Sequence, residues 1–185
     1  TTDLVVQTLA IDQGVGSQPR ALAYRKDGSG ERLLAAMFFG ELRPGKTGLD
    51  EPQDDGKEGR VAVFNAGATL TFVAATALGP IANSGFNSNG SVLDFIGTSN
   101  GVGGVNAPDP TNPATNTFAT GAYPNQLAAV GIHPSNGKAY VVSTAASPNG
   151  PFGFNFNVQG LVSVMDLGSN AEVTADASGV VHQKA

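Results

Sequence analysis

The chain has 185 residues and a formal net charge of −5, which suits one sizeable core and is too little for two ordinary domains. Its few Lys and Arg residues cannot neutralise a run of phosphates, so nucleic acid and anionic lipid surfaces are excluded as partners on charge. With no cysteine there is no disulfide, no thiolate metal site and no covalent haem attachment within the chain.

Only 14% of the residues are charged, while 25 are Gly and 11 are Pro. Such a composition favours short strands separated by turns over helices. No apolar run approaches the roughly 18 residues that span a bilayer, so membrane insertion is not expected. No basic-then-apolar leader opens the sequence, and Thr1 reads as a processed end of an exported protein. A Thr/Asn/Gly-rich, Lys-poor chain points to an extracytoplasmic setting, periplasmic or secreted, in a bacterium.

In chain order, Leu4–Ile11 is apolar and β-branched and predicts a strand, which Gln13–Ser17 breaks. Pro19 leads into Ala21–Tyr24, the turn Arg25–Gly30 follows, and Arg32–Phe39 predicts the next strand. After an insertion at Gly40–Glu58, strands are predicted at Gly59–Asn65 and Leu70–Ala75. The stretch Gly79–Ala122 is dominated by Gly, Asn, Pro, Ser and Thr, and only Ser91–Ile96 in it reads as ordered. A connection of that length implies a small element of its own or packing over the rest.

Ala122–Thr144 predicts a β-hairpin, with apolar runs at Leu127–Ile132 and Tyr140–Val142 flanking the turn His133–Lys138. Pro134 cannot donate to a ladder, and Asn136-Gly137 suits positive φ. A second insertion, Ala146–Gln159, precedes strands at Gly160–Asp166 and Glu172–Val181.

The second half repeats the first. Pro19 and Leu22 match Pro124 and Leu127 at an offset of 105; Leu33-Leu34-Ala35 match Tyr140-Val141-Val142 at 107; Gly59–Asn65 match Gly160–Asp166 at 101. Drifting offsets mean insertions between matched strands. The expected organisation is therefore one domain over 1–185, with repeat unit one at about 4–78, a loop-rich connection at 79–121 and repeat unit two at about 122–181.

A repeated four-stranded antiparallel meander is the blade of a β-propeller. Tyr123-Pro124, His133–Lys138, Tyr140–Thr144 and Leu161–Asp166 together resemble the YVTN-type repeat of lactonase-like and surface-layer-like bacterial propellers. The resemblance implies an all-β fold of propeller blades, an incomplete ring of about two blades with long loop insertions. Ser147–Gln159 is similar to an insertion in large propeller proteins that often carry c-type cytochrome domains, which implies a haem-bearing partner domain. Propellers close with about four to eight blades, so two blades call for other polypeptide to complete the ring or for a homo-oligomer.

Residues with chemical potential have ordinary readings beside them. The acidic loop 50–58 offers oxygens for calcium, but it lacks EF-hand spacing, and its run of like charge reads first as a solvated surface loop. His133 sits in a proline turn, His182 lies near the end of the sequence, and Thr1 is a nucleophile only if its amine is buried and oriented. Gly101–Gly104 lacks the strand and helix of a phosphate loop. Lactonase-like propellers hold a metal in their channel, but no residue set here matches that motif, so no catalytic or metal residue is assigned and no cofactor is expected in this chain.

Phe152, Phe154 and Phe156 alternate, which puts them on one side of an extended segment. They cap the core of their own blade or form a docking surface. The leading expectation is a non-catalytic scaffold or interaction portion of an exported propeller protein. The alternative is part of a propeller hydrolase or oxidoreductase whose site forms in the complete ring.

Overall fold

A computed structural model of the chain describes residues 7–9, 18–28, 30–82, 87–88, 118–119, 121–148 and 158–174. The predicted strand Leu4–Ile11 meets them only at Gln7–Leu9, which are not in a strand. Ser91–Ile96, Phe152, Phe154, Phe156, Thr1 and His182 lie outside them.

The described residues are all-β. Strands β1 (Pro19–Asp27), β2 (Gly30–Met37), β3 (Glu41–Leu42), β4 (Lys57–Ala66) and β5 (Leu70–Leu78) make one sheet. In the connection, β6 (Asn87–Ser88) and β7 (Phe118–Ala119) pair as a two-residue ladder. The other sheet is β8 (Tyr123–Ile132), β9 (Lys138–Ala146), β10 (Val158–Asp166) and β11 (Ala171–Glu172), in the order β11-β10-β9-β8. All neighbours are antiparallel. In the first sheet β4 lies between β2 and β5, while β3 pairs with the first residues of β4. The described residues form two larger open sheets and the small β6–β7 ladder, with no closed barrel or ring among them.

Strand formation follows from alternation. In β9 the burial pattern switches at every step from Ala139 to Ala145, so Ala139, Val141, Ser143 and Ala145 face inward while Tyr140 and Val142 face outward. Turn residues do the rest. Gly30 has a φ of 121°, Gly137 of 70° and Asn170 of 53°, all in a region where a Cβ is costly except for Asn. Asn136, expected to share the positive-φ role with Gly137, does not; its side chain accepts from the Lys138 N–H at 3.0 Å instead. The loop between β8 and β9 spans five residues and needs one left-handed position.

The sheets pack face to face. Leu34, Ala36, Val61, Val63 and Leu78 of the first meet Leu127, Ala139, Val141, Met165 and Leu167 of the second, all buried. Burying a side chain of this size contributes about 1.5–3 kcal/mol.

The seam is sharpest at the start of β8. Pro124 and Leu127 are among the fully buried side chains. A Cβ on Gly59 would lie 3.1 Å from Pro124 Cβ and 3.0 Å from Leu127 Cδ1, and one on Gly40 would lie 3.0 Å from the Pro124 carbonyl. Glycine at 40 and 59 is what lets β8 come this close. Hydrogen bonds stitch the seam: Leu127 N–H donates to the Phe38 carbonyl at 2.9 Å and Gly40 N–H to Asn125 Oδ1 at 2.8 Å. At the opposite edge Thr76 Oγ1 donates to the Asn170 carbonyl at 2.8 Å, and Gly79 N–H to Glu172 Oε2 at 2.7 Å.

Pairing also corrects two of the repeat matches. Leu22 pairs with Ala35 and is exposed, whereas Leu127 is buried between the sheets. The position equivalent to Leu22 is Ala129, which pairs with Val142. A register shift between Asn125 and Ala129, with Gln126 at a φ of 50°, absorbs the difference. Likewise Val63 pairs with Leu34 and Ser163 with Val141, so β4 maps onto β10 at an offset of 100, not 101. A one-residue error exchanges the two faces of a strand, which is why pairing settles it and composition does not.

Candidate functional site

The second sheet has a free face. Its inner face is buried, yet Tyr140, Val142, Val158 and Val162 on the other side are 37%, 46%, 59% and 36% exposed. Val142 and Val162 are cross-strand partners, and Tyr140 pairs with Val164 one step along. Ala129 and Gly131 of β8 complete the patch opposite Val142 and Tyr140. No charged residue interrupts it between Val158 and Val164; the Lys138–Asp166 pair marks its end.

The corresponding face of the first sheet is covered. Ala35, Met37, Ala62 and Phe64 are buried there, packed with Leu9, Leu33, Leu70, Phe72 and Ala75. The Phe64 and Phe72 rings meet edge to face at 5.8 Å. Gln7 helps hold the covering segment, its amide donating to the Leu70 carbonyl and accepting from the Leu70 N–H, both at 2.8 Å.

The acidic loop is more structured than a solvated loop. Thr47 and Asp50 form a capping box on the 3-10 turn Gly48–Asp50. Donation from the Thr47 backbone, then from its hydroxyl, holds the Asp50 carboxyl below the usual carboxylate range. Lys46 reaches Asp55 at 2.9 Å and Asp50 at 3.8 Å, Lys57 reaches Glu51 at 3.3 Å, and the buried Glu58 lies between Arg43 and Arg60. Asp54 accepts from the Ser147 hydroxyl at 3.2 Å, tying the loop to the second unit. Burial, then the carboxylates of Glu51 and Asp54, pushes the Tyr123 phenol up. Among the described residues no group of three or more His, Asp or Glu is arranged to hold a metal ion. Asp50, Glu51, Asp55 and Glu58 face Lys and Arg in ion pairs.

His133 belongs to its turn. Its Nδ1 accepts from the Ser135 and Asn136 N–H groups, each at 3.2 Å, and its own N–H donates to the Lys138 carbonyl at 2.8 Å. A ring nitrogen used this way replaces the side-chain oxygen of an Asx turn.

Phe152, Phe154 and Phe156, the interface candidates read from the sequence, lie outside the described residues, so the face built from Tyr140, Val142, Val158 and Val162 was not anticipated as a site. One signal for it was available. The run Ala139–Val142 is apolar on both alternating faces, which marks a strand covered on both sides or one left with an open apolar face.

No helix among the described residues is long and apolar enough to cross a membrane. No protein-family model, curated protein or solved structure matches the chain.

Proposed function

We propose that this chain is the non-catalytic interaction portion of an exported β-propeller protein, its two meanders acting as neighbouring blades. Its free face is covered by a further antiparallel sheet, supplied by other polypeptide or by a second copy of the chain. The observation that carries this reading is the uncharged outer face of Tyr140, Val142, Val158 and Val162. Exposed, contiguous apolar surface of this kind marks interaction sites on soluble proteins. Covering these side chains contributes about 1 kcal/mol each, roughly half the value for full burial. The contact between the two sheets supplies the template, since it already packs one four-stranded meander on another.

In this reading Phe152, Phe154 and Phe156, which precede β10 in the sequence, extend the contact. The YVTN-like residues carry the propeller assignment and its bacterial, extracytoplasmic setting. A haem-bearing domain belongs to the partner polypeptide, because the chain has no cysteine.

Sedimentation of the chain across a concentration series tests the proposal. Association should rise with concentration, and Val142→Glu with Val162→Glu should abolish it while leaving the far-ultraviolet circular dichroism unchanged. A cooperatively melting monomer at every concentration contradicts an open face.

A further inference from the structure

Away from the free face, the turn ends of the two sheets enclose a cavity of about 250 Å³ lined by Arg25, Asp27, Gly30, Arg32, Gly137, Leu167 and Gly168. Arg25 and Arg32 are direct cross-strand partners, one on β1 and the other on β2. Like charges placed opposite each other in a sheet are destabilising unless something neutralises them. Asp27 pairs with Arg25, and Arg32 donates to the neutral Asn65. Among the described residues the lining therefore holds two cations and one anion. Beyond it, the Asp166 carboxylate accepts from the N–H groups of Gly168 and Ser169 at 3.0 and 2.8 Å, and Lys138 is its cross-strand partner. On the outer side of the first sheet Lys26 and Glu31 neutralise each other at 2.6 Å.

We infer that this cavity binds a small monocarboxylate, held by the guanidinium groups of Arg25 and Arg32. A planar carboxylate matches the planar fork of a guanidinium, which can grip both oxygens. One negative charge balances the excess positive charge of the lining. The volume lies below the roughly 300–1,000 Å³ of sites for drug-sized molecules, so the ligand is small. The site is independent of the assembly proposed above, because it uses the turn ends and not the free face.

The test is titration of the ¹⁵N-labelled chain with sodium acetate at fixed ionic strength, following the Nε–Hε resonances of Arg25 and Arg32. Sodium chloride and inorganic phosphate serve as parallel arms. Acetate should shift both resonances saturably, with a Kd on the order of 1–10 mM as befits so few ligand atoms. R32Q should weaken binding by about tenfold with the far-ultraviolet circular dichroism unchanged. R32K keeps the charge and loses the fork, so it should weaken binding too; unchanged affinity in R32K overturns the bidentate grip. Shifts that grow linearly, that chloride reproduces, or that phosphate produces at lower concentration than acetate overturn the proposal.

Discussion

The two sheets share a plan and differ in how they are covered. At equivalent pairing positions the first has Ala35 and Ala62 at 3% and 0% exposure, and the second has Val142 and Val162 at 46% and 36%. The larger side chains are on the open sheet. In the first, Met37, Phe64 and Phe72 with the Gln7–Leu9 segment form a lid over small residues. In the second, Val164 is buried, but Tyr140, Val142, Val158 and Val162 on the same face stay exposed. The fourth strands differ as well: β5 pairs with β4 from Gly59 to Ala66, whereas β11 pairs with β10 at only two positions. A sheet with its own lid is finished within the chain. The other keeps Val142 and Val162 exposed where the first sheet buries Ala35 and Ala62.

Truncation on the two outer faces tests this difference most strongly. Phe64→Ala should cost about 3–5 kcal/mol in urea denaturation, because it opens a cavity beneath the Phe72 ring. Val162→Ala should stay within about 0.5 kcal/mol in the dissociated chain, as for ordinary surface substitutions. Equal costs would mean that both faces are covered in the monomer, and the asymmetry would fail.

The acidic loop sharpens the contrast from the other side, since only the first unit carries it. A Cβ on Gly56 would lie 1.9 Å from the Asp50 carbonyl, so Gly56→Ala must push the loop off its path. We expect a loss of about 1–3 kcal/mol, typical of forced overpacking, with weakened contact between Asp54 and Ser147. A variant as stable as the parent would show that the loop is a passive surface excursion after all.

The smallest effect concerns pH. Backbone donation from Ser169, then the Ser169 hydroxyl and the Gly168 N–H, holds the Asp166 carboxyl below its usual value, in the turn that leads into β11. A carboxyl depressed in the folded state stabilises fully above its unfolded pKa, and that contribution disappears as pH falls through the folded pKa. Because the group is partly exposed, the contribution is modest, about 0.5 kcal/mol. Asp166→Asn should therefore lower stability by about that amount near neutrality and make no difference once pH falls below the depressed pKa, which flattens the acid limb of the stability curve. If the acid limb is identical in both proteins, the second unit's turn contributes nothing to acid sensitivity.

Much of this molecule was readable from residue order. Apolar runs marked the strands, and burial alternates along Lys138–Ala146 and from Val158 to Ser163 because side chains on a strand point to opposite faces in turn. Gly137 and the proline turn marked the hairpin. The halves repeated visibly, since each meander needs the same spacing of apolar runs and turns. Register and coverage were not readable. Leu22 and Leu127 occupy similar places in the sequence, yet one is exposed and the other buried, because a bulge near Gln126 shifts β8 against β9. The approach of Pro124 to Gly59 and of Asp54 to Ser147 depends on contacts between residues far apart in the chain, which no local pattern encodes. Nor does alternation say which apolar face meets a partner. Val141 and Val142 are the same residue in neighbouring positions, and only the docking of one sheet on the other makes the first core and the second surface.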